Sequence, residues 1–234
     1  MKDLEIFIPG ETIDLCIPTQ EFARESNWYS WFNNPDITRY LGERGNYQNT
    51  PEKQEKFFLA EKDKRLILII STKKKIYKGV VSLSFSDKSN KQKTCNIAIV
   101  TDFSIEPENS PYASLEAIAR ITEHGFKKLS MKRISDVAHI KLGNWQQRME
   151  LLGYRVEGVY RDESIRSSEK FNAMSIACLY DDYLSIIENR GSLWDSLEKM
   201  KKRIKQLPKI SYRDQLSNFC DSKGSEYYKK IFNL

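Results

Sequence analysis

Three strand-like segments in a row, followed at once by a long amphipathic helix, constrain the fold of this chain more than any other feature. Short loops of Lys, Ser and Asn separate the three segments, which are RLILIIST (65–72), KGVVSLSFSD (78–87) and KTCNIAIVTD (93–102). Polar loops between apolar runs are typical of an antiparallel meander. The helix is predicted over residues 114–129, with five residues near one face: Leu115, Ile118, Thr122, Phe126 and Leu129.

The segments on either side of this centre predict further strands and helices. Residues 12–19 alternate enough for an opening strand, and Thr19 can cap a helix that runs to Phe32. Thr50 and Pro51 suit the cap and the first turn of a helix over residues 52–63. The remaining predicted elements are a short helix at 37–41, a strand at 132–140, a helix at 144–153 closed by Gly153, and a hairpin of 154–162 with 170–183.

The predicted order of elements is β-α-α-β-β-β-α-β-α-β-β. This order gives an α/β or α+β fold, with a mixed, mostly antiparallel sheet of seven strands flanked by helices. The chain has 234 residues, of which 40% are hydrophobic, and this suits one globular domain with an appendage. We place the domain at residues 1–185 and a helical extension packed on it at residues 186–234.

The extension has an apolar stripe and a basic remainder. Five apolar residues repeat at steps of four and three: Leu193, Leu197, Met200, Ile204 and Leu207. Residues 190–234 hold 11 Lys and Arg against 5 Asp and Glu, so they carry the whole net charge of +6. The stripe predicts docking on the chain's own core or pairing in a homodimer. A neutral body argues against a protein-wide surface for nucleic acid.

Composition also bounds the compartment and the partners. No apolar run approaches a membrane span, since the densest is LILII at residues 66–70. The first residues, MKDLEIFIPG, are acidic and interrupted by Pro9, unlike a signal peptide. The cysteines are far apart and form no CxxC pair: Cys16, Cys95, Cys178 and Cys220. We therefore expect a cytoplasmic protein with reduced thiols, no membrane partner and no bound metal ion.

The stretch ENSPYASLEA, residues 108–117, has the layout of a phosphate-binding junction between a strand and a helix. Ser110 suits the N-cap and Pro111 the first helical position. The amides of Tyr112, Ala113 and Ser114 are then predicted to lack helical partners and to face an anion. The junction contains no glycine, and an ordinary capped helix explains the same pattern.

Five segments, in this order, resemble the GNAT superfamily of acyl-CoA N-acyltransferases and cover roughly residues 13–183. They are WFNNPDITRYL (31–41), GVVSLSFSD (79–87), NIAIVTDF through KRI (96–134), GNWQQRMELLGYRVEGVYRD (143–162) and FNAMSIACLYDDY (171–183). The likeness is nearest to the bacterial enzymes that N-acylate nucleotide-linked amino sugars, in the ribosomal-protein acetyltransferase-like branch. Two departures are the missing glycines at the junction and Met149, which stands where many members have a tyrosine that protonates the leaving thiol.

The resemblance implies direct attack of an amine on acyl-CoA, which serves as a co-substrate, and it assigns site residues by position. Pantetheine is expected to pair with the strand IAIVT, at Ile97, Ile99 and Val100, and to contact Asn144. The diphosphate is expected at the start of the long helix: Ser110, Tyr112, Ala113 and Ser114. His139 is the candidate base, with an ordered water as the alternative.

The acceptor is expected to be a dTDP- or UDP-linked amino-dideoxy sugar that receives an acetyl or short hydroxyacyl group for surface polysaccharide synthesis. The basic extension suits an acceptor with its own diphosphate, and three side chains are candidates to hold it: Trp31, Arg39 and Tyr40. Trp31 and Tyr40 also fit a role in the core. The alternatives are an acetyltransferase for protein N-termini, a non-catalytic acyl-CoA-binding module, and a nucleic-acid-binding module that uses the extension.

Overall fold

The computed structural model describes residues 2–41, 47–85, 93–166 and 169–233, without the side chains of residues 164–166 and 169. The strands of the described residues are β1 (Ile6–Pro9), β2 (Ile13–Cys16), β3 (Arg65–Thr72), β4 (Tyr77–Phe85), β5 (Thr94–Thr101), β6 (Arg133–His139), β7 (Arg155–Arg166) and β8 (Glu169–Leu179). They form one sheet in the spatial order β1-β2-β3-β4-β5-β6-β8-β7. All neighbours are antiparallel except β5 and β6, which are parallel. The predicted end of the second meander strand, Ser86 and Asp87, lies outside the described residues.

Ten α-helices flank this sheet within the described ranges. They are α1 (Gln20–Glu25), α2 (Trp28–Trp31), α3 (Pro35–Thr38), α4 (Pro51–Glu61), α5 (Ser110–Lys127), α6 (Gly143–Glu150), α7 (Tyr180–Arg190), α8 (Leu197–Lys205), α9 (Tyr212–Phe219) and α10 (Ser225–Phe232). The predicted caps are present, since the Thr19 hydroxyl accepts the Phe22 N–H at 3.0 Å and that of Thr50 accepts the Lys53 N–H at 3.2 Å. Gly153 has a φ of +92°, as its predicted place after a helix requires.

The predicted mixed α/β fold with helices on both sides is confirmed, with one strand more than expected. The additional strand, β1, pairs with β2 at the edge of the sheet. Pro9 lies at the end of β1, where a missing N–H removes no ladder bond to another strand. Pro9 is thus compatible with an edge strand.

Two helix boundaries differ from the sequence prediction. The single helix predicted from Thr19 to Phe32 is two helices, because Ser26 is extended and its N–H closes α1 on the Phe22 carbonyl. The last predicted strand ends at Leu179 and α7 follows it. The carboxylate of Asp182 accepts the Leu179 N–H at 3.3 Å, which caps α7 where alternating residues had suggested more strand.

The core consists of two clusters, one on each face of the sheet. On one face, α5 packs on the strands, and its Leu115, Ile118 and Phe126 are buried. On the other face, α1, α2 and α4 enclose a cluster that includes Trp28 and Trp31. The sheet is therefore covered on both sides, and β5 runs between the two clusters.

The extension lies against the α5 side of the body. Leu193 and Met200 are fully buried, and the Trp194 indole N–H donates to Glu11 at 2.8 Å. Farther along, Arg213 of α9 donates to the carbonyl of Ile140 at 2.7 Å. The stripe predicted to dock thus contacts the core of its own chain. Of the helices described, none combines the length and apolarity needed to cross a membrane.

Replacement of Gly79 by Ala is expected to destabilise the protein by roughly 1–3 kcal/mol through overpacking. A Cβ at this position would stand 2.4 Å from the carbonyl oxygen of Val100, which belongs to the neighbouring strand and cannot yield without disturbing the ladder. Gly158→Ala is the matched control, because a Cβ there meets nothing within 4 Å. Denaturant unfolding of both variants measures the difference, and equal free energies of unfolding would contradict the close contact.

Candidate active site

The central feature of the candidate site is the separation of β5 from β6. The two parallel strands pair with each other only at residues 94–96 and 133–135. Beyond these residues they run on to Thr101 and His139 without pairing to each other. On its other side β5 stays paired with β4 along its whole length. One edge of β5 is therefore open to a ligand that can act as an added strand.

The register of β4 and β5 shows which backbone groups face the gap. The Asp102 N–H donates to the Lys78 carbonyl at 2.7 Å, so this residue points its backbone groups toward β4. Because alternate residues of a strand point in opposite directions, Val100 and Ala98 also face β4. The backbone groups of the remaining residues beyond the last pair with β6 face the gap: Ile97, Ile99 and Thr101.

A cleft of about 420 Å³ opens where the strands separate. Its walls are β5, the first turn of α5, the start of α6 and the residues that follow α3. The structure brings six of the predicted site residues to these walls: Arg39, Tyr40, Ile99, Val100, Ser114 and Asn144. The Ile97 side chain is buried in the core cluster on the α5 face of the sheet and is not among the residues that line the cleft.

Positive charge dominates the ionised side chains of the cleft. Among the residues that the structure describes, Arg39, Lys141 and Arg148 line it together with one carboxylate, that of Asp36. Asp36 is bonded to Arg39 at 2.6 Å, which neutralises both groups and leaves two cations in excess. The cleft is therefore suited to an anionic ligand.

Sequence reasoning missed three residues of α6 and the turn before it. Lys141, Trp145 and Arg148 line the cleft beside the predicted Asn144. The spacing of Asn144, Trp145 and Arg148 (i, i+1, i+4) places them on one face of a helix, and this signal was present in the sequence. Met149, which stands at the position of the family's tyrosine, is buried in the core on another face of α6.

The start of α5 differs from the phosphate-binding junction that the sequence predicted. Ser110 is the first helical residue and Asn109 is the N-cap, in a helical conformation. The N–H of Tyr112 and that of Ala113 both donate to the Asn109 carbonyl, at 3.1 and 2.9 Å, and the Ser110 N–H donates to Glu106 at 3.0 Å. The amides predicted to be free at Tyr112 and Ala113 therefore have partners, because a preceding turn continues into the helix.

The side chains of this turn are also engaged. The fully buried Lys78 donates from Nζ to the Ser110 hydroxyl at 2.6 Å and to the Ile105 carbonyl at 2.5 Å. Burial lowers the pKa of the Lys78 amine, against the opposing effect of nearby carboxylates. In the buried interior the Ser114 hydroxyl donates to the Ser110 carbonyl at 2.9 Å and can accept from the Thr101 hydroxyl at 3.0 Å. Lys78 thus fixes the loop between β5 and α5, and Ser110 and Ser114 hold this loop rather than present hydroxyls to a ligand.

His139 lies at the end of β6 between two aromatic rings, those of Tyr40 at 5.0 Å and Phe171 at 4.8 Å between centroids. Its Nδ1 accepts the Lys141 N–H at 3.1 Å, so the neutral ring carries its proton on Nε2. While this bond persists, neither nitrogen is free to take a proton from an amine. This geometry disfavours the predicted role of His139 as the base. We call Tyr40, His139 and Phe171 the aromatic cluster.

Two cations border the aromatic cluster. The guanidinium of Arg39 lies 5.9 Å from the Tyr40 ring centroid, and Nζ of Lys141 lies 4.6 Å from that of Phe171. Trp31, the third predicted acceptor residue, is only 1% exposed and packs in the second core cluster. Because a stacking platform needs an exposed ring face, Trp31 does not fit that predicted role, and Tyr40 does.

Asp136 is the first residue of β6 beyond the last pair with β5. Its Oδ1 accepts the Val137 N–H at 2.8 Å. Desolvation by the surrounding protein raises the pKa of Asp136 to about 6, and this hydrogen bond opposes part of the rise. The Asp136 carboxylate, with its raised pKa, therefore lies where β5 and β6 separate.

Replacement of Asp136 by Asn is expected to change how stability depends on pH. Because the pKa of Asp136 is about 6 in the folded state and about 3.9 in an unfolded chain, its ionisation favours unfolding. As pH rises from 4 to 8, the free energy of unfolding of the wild type should fall by on the order of 2–3 kcal/mol relative to that of Asp136→Asn. Unfolding by urea across this range measures the difference. Asp63→Asn, at an exposed position, is the control, and parallel curves for all three proteins would contradict the shifted pKa.

Solved structures of acetyltransferases share this fold. The spermidine N-acetyltransferase of Vibrio cholerae, in complex with CoA and spermine, superposes with a TM-score of 0.65 at 15% identity, over 74% of this chain and 98% of that one. A GNAT-family acetyltransferase of Bacillus anthracis gives 0.61 at 17% identity, over 75% and 99%. MccE, a microcin self-immunity acetyltransferase in complex with acetyl-CoA and AMP, gives 0.56 at 20% identity, over 73% and 93%.

These likenesses establish the architecture. The chain has the fold of the GNAT acetyltransferases. No family model matches the chain, and no curated protein is similar to it in sequence. At identities of 15–20%, the fold is what the solved structures share with this chain.

Proposed function

We propose that this protein transfers an acyl group from acyl-CoA to a primary amine. The observation that carries the proposal is the gap between β5 and β6, which leaves one edge of β5 unpaired inside a cleft of about 420 Å³. In this proposal the amide groups of pantetheine pair with the backbone of Ile97 and Ile99. Val100 contributes its side chain to the wall, and Asn144 contacts pantetheine from the start of α6.

The diphosphate of CoA needs a different partner from the one the sequence suggested. Since the amides of Tyr112 and Ala113 are bonded to Asn109, cationic side chains must neutralise the phosphates. Lys141 and Arg148 line the cleft and form no ion pair with the residues that the structure describes. We assign the diphosphate to these two side chains, with Arg148 able to form a bidentate pair.

The reaction is a direct transfer between the two substrates. The amine nitrogen attacks the thioester carbonyl, a C–N bond forms, the C–S bond breaks, and CoA leaves as the thiol. A gap-facing N–H of β5 donates to the oxygen that becomes negative in the intermediate, which lowers the barrier. Because the Lys141 amide occupies Nδ1 of His139, the amine passes its proton to water at the mouth of the cleft.

The acceptor is assigned to the mouth of the cleft, at the aromatic cluster. Aromatic rings stack on a nucleobase, and Arg39, which is exposed and bonded to Asp36, can donate further hydrogen bonds to the acceptor. A polyamine would need unpaired carboxylates, whereas the one carboxylate that lines this cleft among the described residues, that of Asp36, is paired with Arg39. These features favour a nucleotide-linked amino sugar, and MccE, a structure of this fold, was solved with both acetyl-CoA and AMP, a nucleotide.

Amine-dependent release of CoA thiol tests the proposal directly. Acetyl-CoA and short hydroxyacyl-CoA are supplied with dTDP- and UDP-amino sugars, a peptide with a free N-terminus, and spermidine. Release with the nucleotide sugars alone supports the full proposal. Release with the peptide or the polyamine would support the acyltransferase function and contradict a nucleotide-linked amino sugar as the acceptor. Binding of CoA without release from any amine identifies an acyl-CoA-binding module instead.

Replacement of Arg148 by Ala is expected to weaken the binding of CoA about tenfold, because a charged hydrogen bond to phosphate is lost. Arg161→Ala removes the same side chain from an exposed position on β7 and serves as the matched control. Calorimetric titration with CoA gives the dissociation constants. Titration with pantetheine, which has no phosphate, should show no difference between the variants. An unchanged affinity in Arg148→Ala would remove this residue from the phosphate site.

A further inference from the structure

A groove of about 460 Å³ lies where strand β3 extends beyond its neighbour β2. Its base is the first half of β3, residues 65–68, and one wall is the segment 17–20, which joins β2 to α1. Phe7 of β1 and two residues of the α4 end, Phe58 and Lys62, complete the lining. Among the residues described, none lines both this groove and the cleft of the candidate active site.

The groove exists because β2 stops pairing with β3 partway along. The last pair of the two strands is Cys16 with Ile69, and residues 65–68 of β3 have no partner on this side. The next residue after Cys16 that would face β3 is Pro18. Because a proline has no N–H to donate, the ladder ends there. The Ile17 N–H points the other way and donates to the Glu5 carbonyl at 2.9 Å.

The free edge of β3 presents the backbone groups of two residues to the groove. The Lys64 carbonyl accepts the Phe85 N–H of β4 at 3.4 Å, so the even-numbered residues in this part of β3 face β4. Arg65 and Ile67 therefore direct their N–H and C=O groups to the groove. Within the described ranges, no residue forms a hydrogen bond with these groups. Ile67 is only 7% exposed, and backbone groups at buried residues are nearly always paired.

The lining of the groove is apolar at one end and cationic at the other. Phe7 and Ile17, where β2 leaves β3, are 41% and 39% exposed. At the start of β3, Lys62 is exposed and forms no ion pair with a residue that the structure describes. Arg65 binds Glu61 through Nε at 2.6 Å, which leaves its terminal nitrogens to donate elsewhere. No carboxylate lines the groove among the residues described, so this end suits an anion.

We propose that the groove binds an extended peptide segment of a partner protein, with apolar side chains at alternate positions and a carboxylate at its carboxyl end. β2 runs antiparallel to β3, so a peptide that continues in its place runs from Leu68 toward Arg65. Its carboxyl end then lies beside Arg65 and Lys62. Hydrogen bonds to Ile67 and Arg65 hold the main chain, and alternate side chains contact the apolar lining. This binding is separate from the proposed acyl transfer.

Charge favours a partner protein over a second copy of this chain. The two strands at the edges of the sheet are the segments of a second copy that could pair with β3. These strands, β1 and β7, end in Pro9 and Arg166, so neither ends in a carboxylate that could lie beside Lys62.

Synthetic peptides test the groove with the full-length protein. The probe is acetyl-VTVTE with a free carboxyl end, and acetyl-VTVTK amide has the same pattern without carboxylates. We expect the probe to bind roughly tenfold more tightly in calorimetric titrations. Two further versions of the probe carry N-methyl groups on their odd-numbered or their even-numbered amides. Because only one of these sets faces β3, one version should lose binding and the other should keep it.

Amide hydrogen exchange locates the bound peptide. The N–H groups of Arg65 and Ile67 should exchange more slowly when the probe is bound, whereas that of Ile69, which already faces β2, should not change. Lys62→Gln should weaken binding of the probe about threefold, as the loss of an exposed ion pair does. Lys56→Gln makes the same change at an exposed position of α4 outside the groove and should leave binding unchanged.

Three results would overturn the proposal: absent or equal binding of the probe and acetyl-VTVTK amide, unchanged exchange at Arg65 and Ile67, or equal binding of the two methylated versions. A fourth is slow exchange at these two residues without any peptide that becomes slower as the protein concentration rises. That result would assign the groove to a second copy of the chain.

Discussion

The loss of pairing between β5 and β6 after three residues determines what the rest of the structure can do. In a parallel pair each strand normally satisfies the backbone groups of the other, so an early separation leaves donors and acceptors open within the sheet. These groups lie between two apolar clusters that keep the strands rigid. A ligand with amide groups can complete the sheet there, because the cleft is lined by this strand.

The buried amine of Lys78 has a complementary role. It ties the carbonyl of Ile105 and the hydroxyl of Ser110 to β4, so the loop that leaves β5 follows a fixed path into α5. Along this path the first amides of α5 donate to backbone carbonyls of the preceding turn, those of Glu106 and Asn109. In the proposed function, the phosphates of CoA are therefore bound by side chains across the gap, on α6 and the turn before it. A basic wall would then take the place of a glycine-rich helix start.

Local sequence signals predicted most of the fold, because each depends on a few neighbouring residues. The meander strands, the caps at Thr19 and Thr50 and the turn at Gly153 are of this kind. β1 was missed because its pairing partner, not its composition, makes it a strand. The site was predicted less well: Asn144 and Tyr40 line the cleft, but the burial of Trp31 and the bonds at Tyr112 depend on tertiary contacts that no local pattern encodes.

The contact between Arg213 and the turn before α6 links distant parts of the chain. Arg213 binds the Ile140 carbonyl, and its guanidinium fills the space that any side chain at residue 143 would need. Gln147 adds a bond to the Pro208 carbonyl at 2.7 Å. The wall that carries Lys141 and Arg148 is therefore braced from behind by the carboxyl-terminal segment. A displacement of the terminal helices would break these bonds and leave that wall without its support.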